Sequence, residues 1–273
     1  MWKPRAHDFV SFNGRLSAPS DTHIPALSSA SLVGRGVFTT IAIADGKPFL
    51  WEKHWRRLNE SCKRVWIDLS AFPEDRTREA LDQVIVANAC ENGRARITFF
   101  FEAPGEPWPY ESERPTSLLI ITGDERPKIQ NPSLTVSPFR INSLSPLAGL
   151  KSCNYLEKVI SIIEARKRGF DEAISLNERG EVSSACMANI FWVVEGRLFT
   201  PSLKTGCLAG TTREYIQENL DCKEVDVGLE DLRSADEIFL TSAGLGITQV
   251  MEYEGRRLRG EAHPITDLLR RAR

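Results

Sequence analysis

The sequence predicts an α+β protein built from two domains. Strand-like runs closed by tight-turn dipeptides alternate with helical runs of three- and four-residue apolar spacing, and both kinds occur in each half of the chain. Between the halves lies a polar, breaker-rich stretch, TGDERPKIQNP, at 122–132. The expected organisation is a small α/β domain over 1–121, a linker over 122–132 and a larger domain over 133–273.

The first element reads as a hairpin, 9–12 and then Arg15-Leu16, because the intervening Asn13-Gly14 suits the positive φ angles of a I′ turn. After a polar, Pro-containing loop, Gly34-Arg35-Gly36 leads into a strand over 37–43, an Asp45-Gly46 turn and a return strand over 47–51. That G-x-G lacks the spacing of either common phosphate loop, and a tight strand entry explains it equally well. A helix is expected over 52–66, with Trp55, Leu58, Cys62 and Val65 as one apolar stripe and His54, Arg56 and Arg57 in its first turns. A second helix is expected over 73–90, then strands over 94–101 and 117–121 around the loop EAPGEPWPYESERP. In the second half, a short strand at 134–139 precedes a helix that opens at Leu150-Lys151 and ends at Gly169. Strands follow at 173–176, 182–184, 190–194 and 198–200, with turns at Glu178-Arg179-Gly180 and Glu195-Gly196. Thr211 or Thr212 caps a helix running to Leu220, a strand covers 237–242, and Pro264 starts a terminal helix.

With 41% hydrophobic and 26% charged residues, disordered and fibrous classes drop out. A formal net charge of −2 gives no electrostatic reason to expect nucleic acid or an anionic membrane as partner. No apolar run approaches the roughly 20 residues that span a bilayer, and the opening MWKPRAHDFVSF has no apolar core of a signal peptide, so a cytoplasmic location is expected. The cysteines, Cys62, Cys90, Cys153, Cys186, Cys207 and Cys222, are scattered without a C-x-x-C pair or a nearby His, which fits reduced packing residues and no metal site.

Two short stretches carry chemistry. Lys151 follows the apolar run Pro146-Leu147-Ala148-Gly149-Leu150, and a lysine emerging from a desolvated edge can lose its proton and form an imine. In GCLAGTTR, Gly210 lets the backbone approach an anion, while Thr211 and Thr212 offer donors where a helix dipole begins. An N-cap without ligand is the competing reading of that turn. Taken together, an imine-forming lysine and a phosphate turn suggest an aldehyde cofactor carrying a phosphate.

In order, GRGVFTTIAIADGKPFLWEKHWRRL, SPLAGLKSCNYLEK, GFDEAISLNERGEVSSACMANIF and LFTPSLKTGCLAGTTRE resemble the class IV, or fold type IV, pyridoxal-phosphate enzymes, and they span nearly the whole chain. That family comprises branched-chain and D-amino acid aminotransferases and aminodeoxychorismate lyases. The resemblance implies a homodimer with pyridoxal 5′-phosphate in the cleft between two domains, the second being the larger cofactor-binding one. It implies Lys151 as the Schiff-base lysine, Arg57, Thr211, Thr212 and Ser242 as phosphate contacts, and small amine and 2-oxo acid substrates. Phe38, Thr40 and Arg35 fall on the substrate side.

Ser184 stands where the family has a glutamate that keeps the pyridine nitrogen protonated. A serine can donate to a neutral nitrogen and cannot hold its proton, which tilts the chemistry toward elimination. Glu181 is an unsuitable substitute, since an odd offset along a strand points it away from the Ser184 face. Phe38-Thr39-Thr40 and the Lys151 to Asn154 spacing resemble the lyases, whereas Phe101-Glu102 replaces the lyases' Arg-Gly. The expected activity is an aminotransferase, with aminodeoxychorismate lyase or a non-catalytic relative of the fold as alternatives.

Overall fold

The computed structural model describes residues 6–101, 116–127, 129–258 and 264–268. The loop expected over 102–115, Glu102 included, lies outside them. The chain divides into two compact units, Met1–Pro127 with Leu150–Asn154 and Lys128–Gly149 with Tyr155–Arg273.

The first unit is an antiparallel sheet of β1 (Val10–Phe12), β2 (Arg15–Ser17), β3 (Gly36–Ala44), β4 (Lys47–Pro48), β5 (Gly93–Phe101) and β6 (Thr116–Gly123), in the order β2-β1-β6-β5-β3-β4. Asn13 and Gly14 adopt φ of 52° and 81°, as their turn requires. The return strand β4 is shorter than the sequence suggests, because Leu50 turns to φ 57° and the next helix starts at Trp51. The loop before β3 also holds one unexpected turn of helix, α1 (Ser29–Val33), whose N-cap Ser28 accepts from the Ser31 N–H. Helices α2 (Trp51–Arg64) and α3 (Glu74–Ala87) cover one face of the sheet. Strand alternation brings Val37, Ile41 and Ile43 of β3 and Ile97 and Phe99 of β5 against Leu58, Cys62, Leu81 and Val84. Each large side chain so buried contributes about 1.5–3 kcal/mol relative to exposure.

Lys151 does not open a helix. The helix α4 (Leu156–Lys167) starts only at Leu156, and the segment before it is extended along β3. Ser152 bridges Val37, Phe38 N–H donates to the Lys151 carbonyl at 2.8 Å, and Cys153 N–H donates to Gly36 O at 2.8 Å. Those strand-edge bonds occupy the backbone groups that a helix would need, so the apolar-to-charged pattern at 150 misplaces the helix start. The same segment explains Gly36, where a Cβ would lie 2.9 Å from Cys153 Sγ and 3.0 Å from Phe99 O. Gly34-Arg35-Gly36 is thus a strand entry shaped by a neighbouring chain segment.

The second unit stacks two mixed sheets. One orders β16 (Arg256–Arg257), β15 (Glu252–Tyr253), β7 (Ser133–Ile141), β8 (Glu172–Asn177) and β9 (Val182–Ala185). The other orders β12 (Cys222–Val225), β11 (Arg197–Pro201), β10 (Asn189–Val194), β13 (Glu237–Ser242) and β14 (Gly246–Val250). Leu134, Ile174, Leu176 and Val182 of the first meet Ile190, Trp192, Ile238 and Leu240 of the second. Outside this core, α4 lays Ile162 and Ala165 on Ala173 and Cys186. On the other side, α5 (Thr211–Asn219) and α7 (Ile265–Leu268) bring Ile216 and Ile265 onto Phe191 and Phe239. A short α6 (Leu229–Arg233) adds Leu232 to the inter-sheet core. Among the described residues no helix is long and apolar enough to cross a membrane.

One irregularity redirects a side chain. Ser175 opposes Ser184, but its neighbour Leu176 opposes Val182, so Ser183 is an extra residue in β9. Val182 and Ala185 both join the inter-sheet core, while Ser184 meets Lys158 of α4 on the outer face. The bulge breaks the simple parity that set Glu181 opposite Ser184. Glu181 is kept out instead by its own partners, Arg179 Nη2 at 2.7 Å and Asn177 Nδ2 at 2.7 Å.

Candidate active site

In the first unit, β3 distributes the polar groups. Thr39 and Phe38 are successive residues and therefore face opposite sides. On the helix side, Arg57 Nη2 donates to Thr39 Oγ1 at 2.8 Å, and Thr39 Oγ1 lies 2.7 Å from His54 Nδ1. A hydroxyl that accepts from Arg57 keeps its proton and a second lone pair, so it can meet His54 Nδ1 as donor or as acceptor. Burial first, then the charges of Arg57 and Lys151, hold His54 well below the ordinary histidine range, so it is neutral at neutral pH.

On the other side, Lys151 Nζ lies 4.6 Å from the centroid of the Phe38 ring, and Arg96 Cζ lies 3.6 Å from it. Arg96 stands on β5 directly across from Thr40, and its Nε donates to Thr98 Oγ1 at 3.2 Å. It also bonds the Cys153 thiol, whose pKa burial nonetheless raises, so Cys153 is no activated nucleophile. Arg35 makes its contacts with the Trp66 carbonyl, at 3.3 Å, and with the Phe101 ring, at 4.0 Å. Lys151, Phe38 and Thr40 are therefore served by one face of one strand pair, and Arg57 by the opposite face.

In the second unit, α5 begins at Thr211 with Gly210 as its N-cap, so the threonines occupy the first turn and neither is the cap. No side chain caps that turn from Gly210, and both threonines are buried. A Cβ on Gly210 would fall 2.0 Å from Asn189 Oδ1, so any larger residue there must displace the Asn189 amide. Asn189 also donates to the Leu208 carbonyl at 2.8 Å and pairs with Thr241. Asn189 therefore joins the turn that starts α5 to the end of β13 that carries Ser242. Ser242 Oγ accepts from Leu245 N–H at 3.1 Å.

Ser184 is buried, and its Oγ lies 3.4 Å from Lys158 Nζ. Behind them, Glu172 Oε1 accepts the Ala173 and Cys186 amides, at 3.0 Å each. Burial raises the Glu172 carboxyl and pushes the Cys186 thiol up to about 12.

Sequence reasoning passed over Thr39, Arg96, Asn189 and Lys158. Arg96 and Thr98 carry a period-2 signal on a strand otherwise apolar at its end. Lys158 carries none, because a lysine on a helix is ordinarily read as solvated.

The family model described as Amino-transferase class IV matches residues 36–253. An aminodeoxychorismate lyase of Bacillus subtilis is 30% identical over 270 residues, covering 94% of this chain and 92% of that protein. A branched-chain-amino-acid aminotransferase of Escherichia coli is 27% identical over 284 residues, covering 97% and 91%. The crystal structure of the branched-chain amino acid aminotransferase of Escherichia coli superposes with a TM-score of 0.88 at 27% identity, covering 97% of this chain and 93% of that one.

Proposed function

Because the chain belongs to the class IV aminotransferase family, we propose that it is a pyridoxal-phosphate-dependent aminotransferase that moves an amino group between an amino acid or primary amine and a 2-oxo acid through Lys151. The observation that carries this reading is the setting of Lys151. Its amine lies on the Phe38 ring in company with Arg96, and its charge is felt by a buried, neutral His54. An amine so placed is available, once deprotonated, to attack a carbonyl.

The donor set fits the cofactor. The Arg57 guanidinium, the backbone amides that open α5 and the hydroxyls of Thr211 and Thr212 are donors that a phosphate could use. Ser242 would be the further phosphate contact, and Ser184 would face the ring nitrogen. The cofactor, when bound, supplies the electron sink for the charge left by a departing α-proton. Lys151 Nζ would hold the cofactor and, once released by exchange with the substrate amine, would take up that proton and return it. Thr39 and His54 hold the Arg57 guanidinium in place, while Phe38, Thr40 and Arg35 are assigned to the substrate side.

Aminodeoxychorismate lyase activity is the second reading, favoured by Ser184. A hydroxyl with a lysine behind it makes a weaker sink than a carboxylate would, and elimination asks less of that sink. Incubating the holoenzyme with an amino donor alone separates the two. Lasting conversion to the pyridoxamine spectrum is expected for the aminotransferase, and pyruvate release from aminodeoxychorismate without an acceptor for the lyase. Borohydride should trap the cofactor on Lys151, and an adduct on any other lysine would sink the assignment.

The proposed assembly is a homodimer. On α4, Leu156, Val159, Ile160 and Ile163 expose 68%, 36%, 46% and 46% of their surfaces at helical spacing, an apolar stripe suited to a second copy. Ile160→Glu should then give a monomer in sedimentation, and an unchanged dimer would exclude that stripe.

A further inference from the structure

Ser184, which replaces a carboxylate in the family resemblance, has a lysine behind it. Lys158 reaches from α4 to the outer face of β9, where its Nζ lies 3.4 Å from Ser184 Oγ. The residue as a whole is only partly buried, yet its ammonium end is desolvated, which lowers its pKa; Cys186 and Glu172 pull the other way. Glu172 is buried on β8 and already accepts two backbone amides, so its carboxylate is oriented toward the same small cluster. Its charge favours the Lys158 ammonium and offsets part of the cost of desolvating it.

The hydrogen-bond inventory then constrains the serine. An ammonium only donates, and Ser184 Oγ has a single proton and two lone pairs. With Lys158 donating into one lone pair, the serine proton is directed away from the lysine. Placement on the outer face follows from its pairing with Ser175, whose neighbours Ile174 and Leu176 face the inter-sheet core. The positive charge behind the hydroxyl also disfavours a second positive charge in front of it.

We propose that Lys158 is a positioning residue that fixes Ser184 as a hydrogen-bond donor and thereby keeps the pyridine nitrogen of the cofactor unprotonated. This rests on the reading above that Ser184 faces that nitrogen. Lys158 and Ser184 together invert the electrostatics that a carboxylate supplies at that position. The charge left on the substrate carbon is then drained less deeply into the ring.

The test is nitrogen-15 NMR of the full chain reconstituted with pyridoxal phosphate labelled at the ring nitrogen. Native protein and Lys158→Arg should both show an unprotonated ring at neutral pH. In Lys158→Glu the new carboxylate accepts the serine proton and frees Oγ to accept from a protonated ring. The ratio of protonated to unprotonated ring should therefore rise at least about tenfold, one pKa unit. Lys158→Gln, a neutral substitution gentler on folding beside Glu172, should move the ratio in the same direction by less. A protonated ring in the native protein, or a signal indifferent to both Lys158→Glu and Lys158→Gln, overturns the proposal. Borohydride trapping on the same samples separates the failures. An adduct on Lys151 with an indifferent ring signal overturns the role of Lys158 alone, and no adduct on Lys151 overturns the functional reading with it.

Discussion

In the first unit the polar groups sit at the start of one strand, and strand alternation sorts them: Thr39 and Arg57 to the helix side, Phe38, Arg96 and Lys151 to the other. In the second unit they sit between a helix and a sheet, and a bulged strand pairing sorts them: Ser184 opposes Ser175 and meets Lys158, while the bulge keeps Val182 as well as Ala185 in the core. The first arrangement concentrates cations around a neutral imidazole. The second buries a lysine, a carboxyl and a hydroxyl in one cluster. Alternation is a property of any strand, so the first sorting survives most substitutions. A bulge depends on local pairing, so the second is the more specific to this chain.

The largest effect is expected at Lys151. Lys151→Ala should lower turnover by about 10²–10⁴-fold through loss of the proton carrier alone, with the melting temperature nearly unchanged; single-turnover kinetics checks this. Arg57→Gln removes a charge-assisted donor worth about 1.5–3 kcal/mol, so the cofactor dissociation constant should rise roughly ten- to hundredfold. Equilibrium dialysis reads that change, and an unchanged constant would move the phosphate contact away from the first unit. Gly210→Ala places a Cβ 2.0 Å from Asn189 Oδ1 and should destabilise the second unit by about 1–3 kcal/mol in urea unfolding. Adding Asn189→Ala should recover part of that loss, because the clash goes with the amide.

The smallest effect concerns His54. The folded protein holds it neutral well below its unfolded value of 6.5. Below that value the unfolded chain takes up a proton that the folded chain refuses, so this stability is present above about pH 6.5 and lost as pH falls toward the folded pKa. Denaturation curves between about pH 7 and 5 should show a shallower loss in His54→Gln than in the native protein. Equal slopes would mean that the imidazole is not what senses the acid.

Much of the fold is legible from neighbours in sequence. Asn13-Gly14 and Asp45-Gly46 mark their hairpins because positive φ is a local demand, and Leu58, Cys62, Leu81 and Val84 mark buried helix faces because helical spacing is a local period. Lys151 and the Gly210-Thr211-Thr212 turn stand out for the same reason, a reactive residue type in a short recognisable context.

The sequence by itself determined which elements form and where most of them turn, and it singled out Lys151 and the Gly210-Thr211-Thr212 turn as candidates. Only the tertiary structure decided that Lys151 lies along β3 ahead of any helix, that Gly36 exists to admit that segment, and that Ser184 looks outward to Lys158. Each of those depends on pairing between residues far apart in the chain, Val37 with Ser152 or Ser175 with Ser184, whose backbone bonds override local preference.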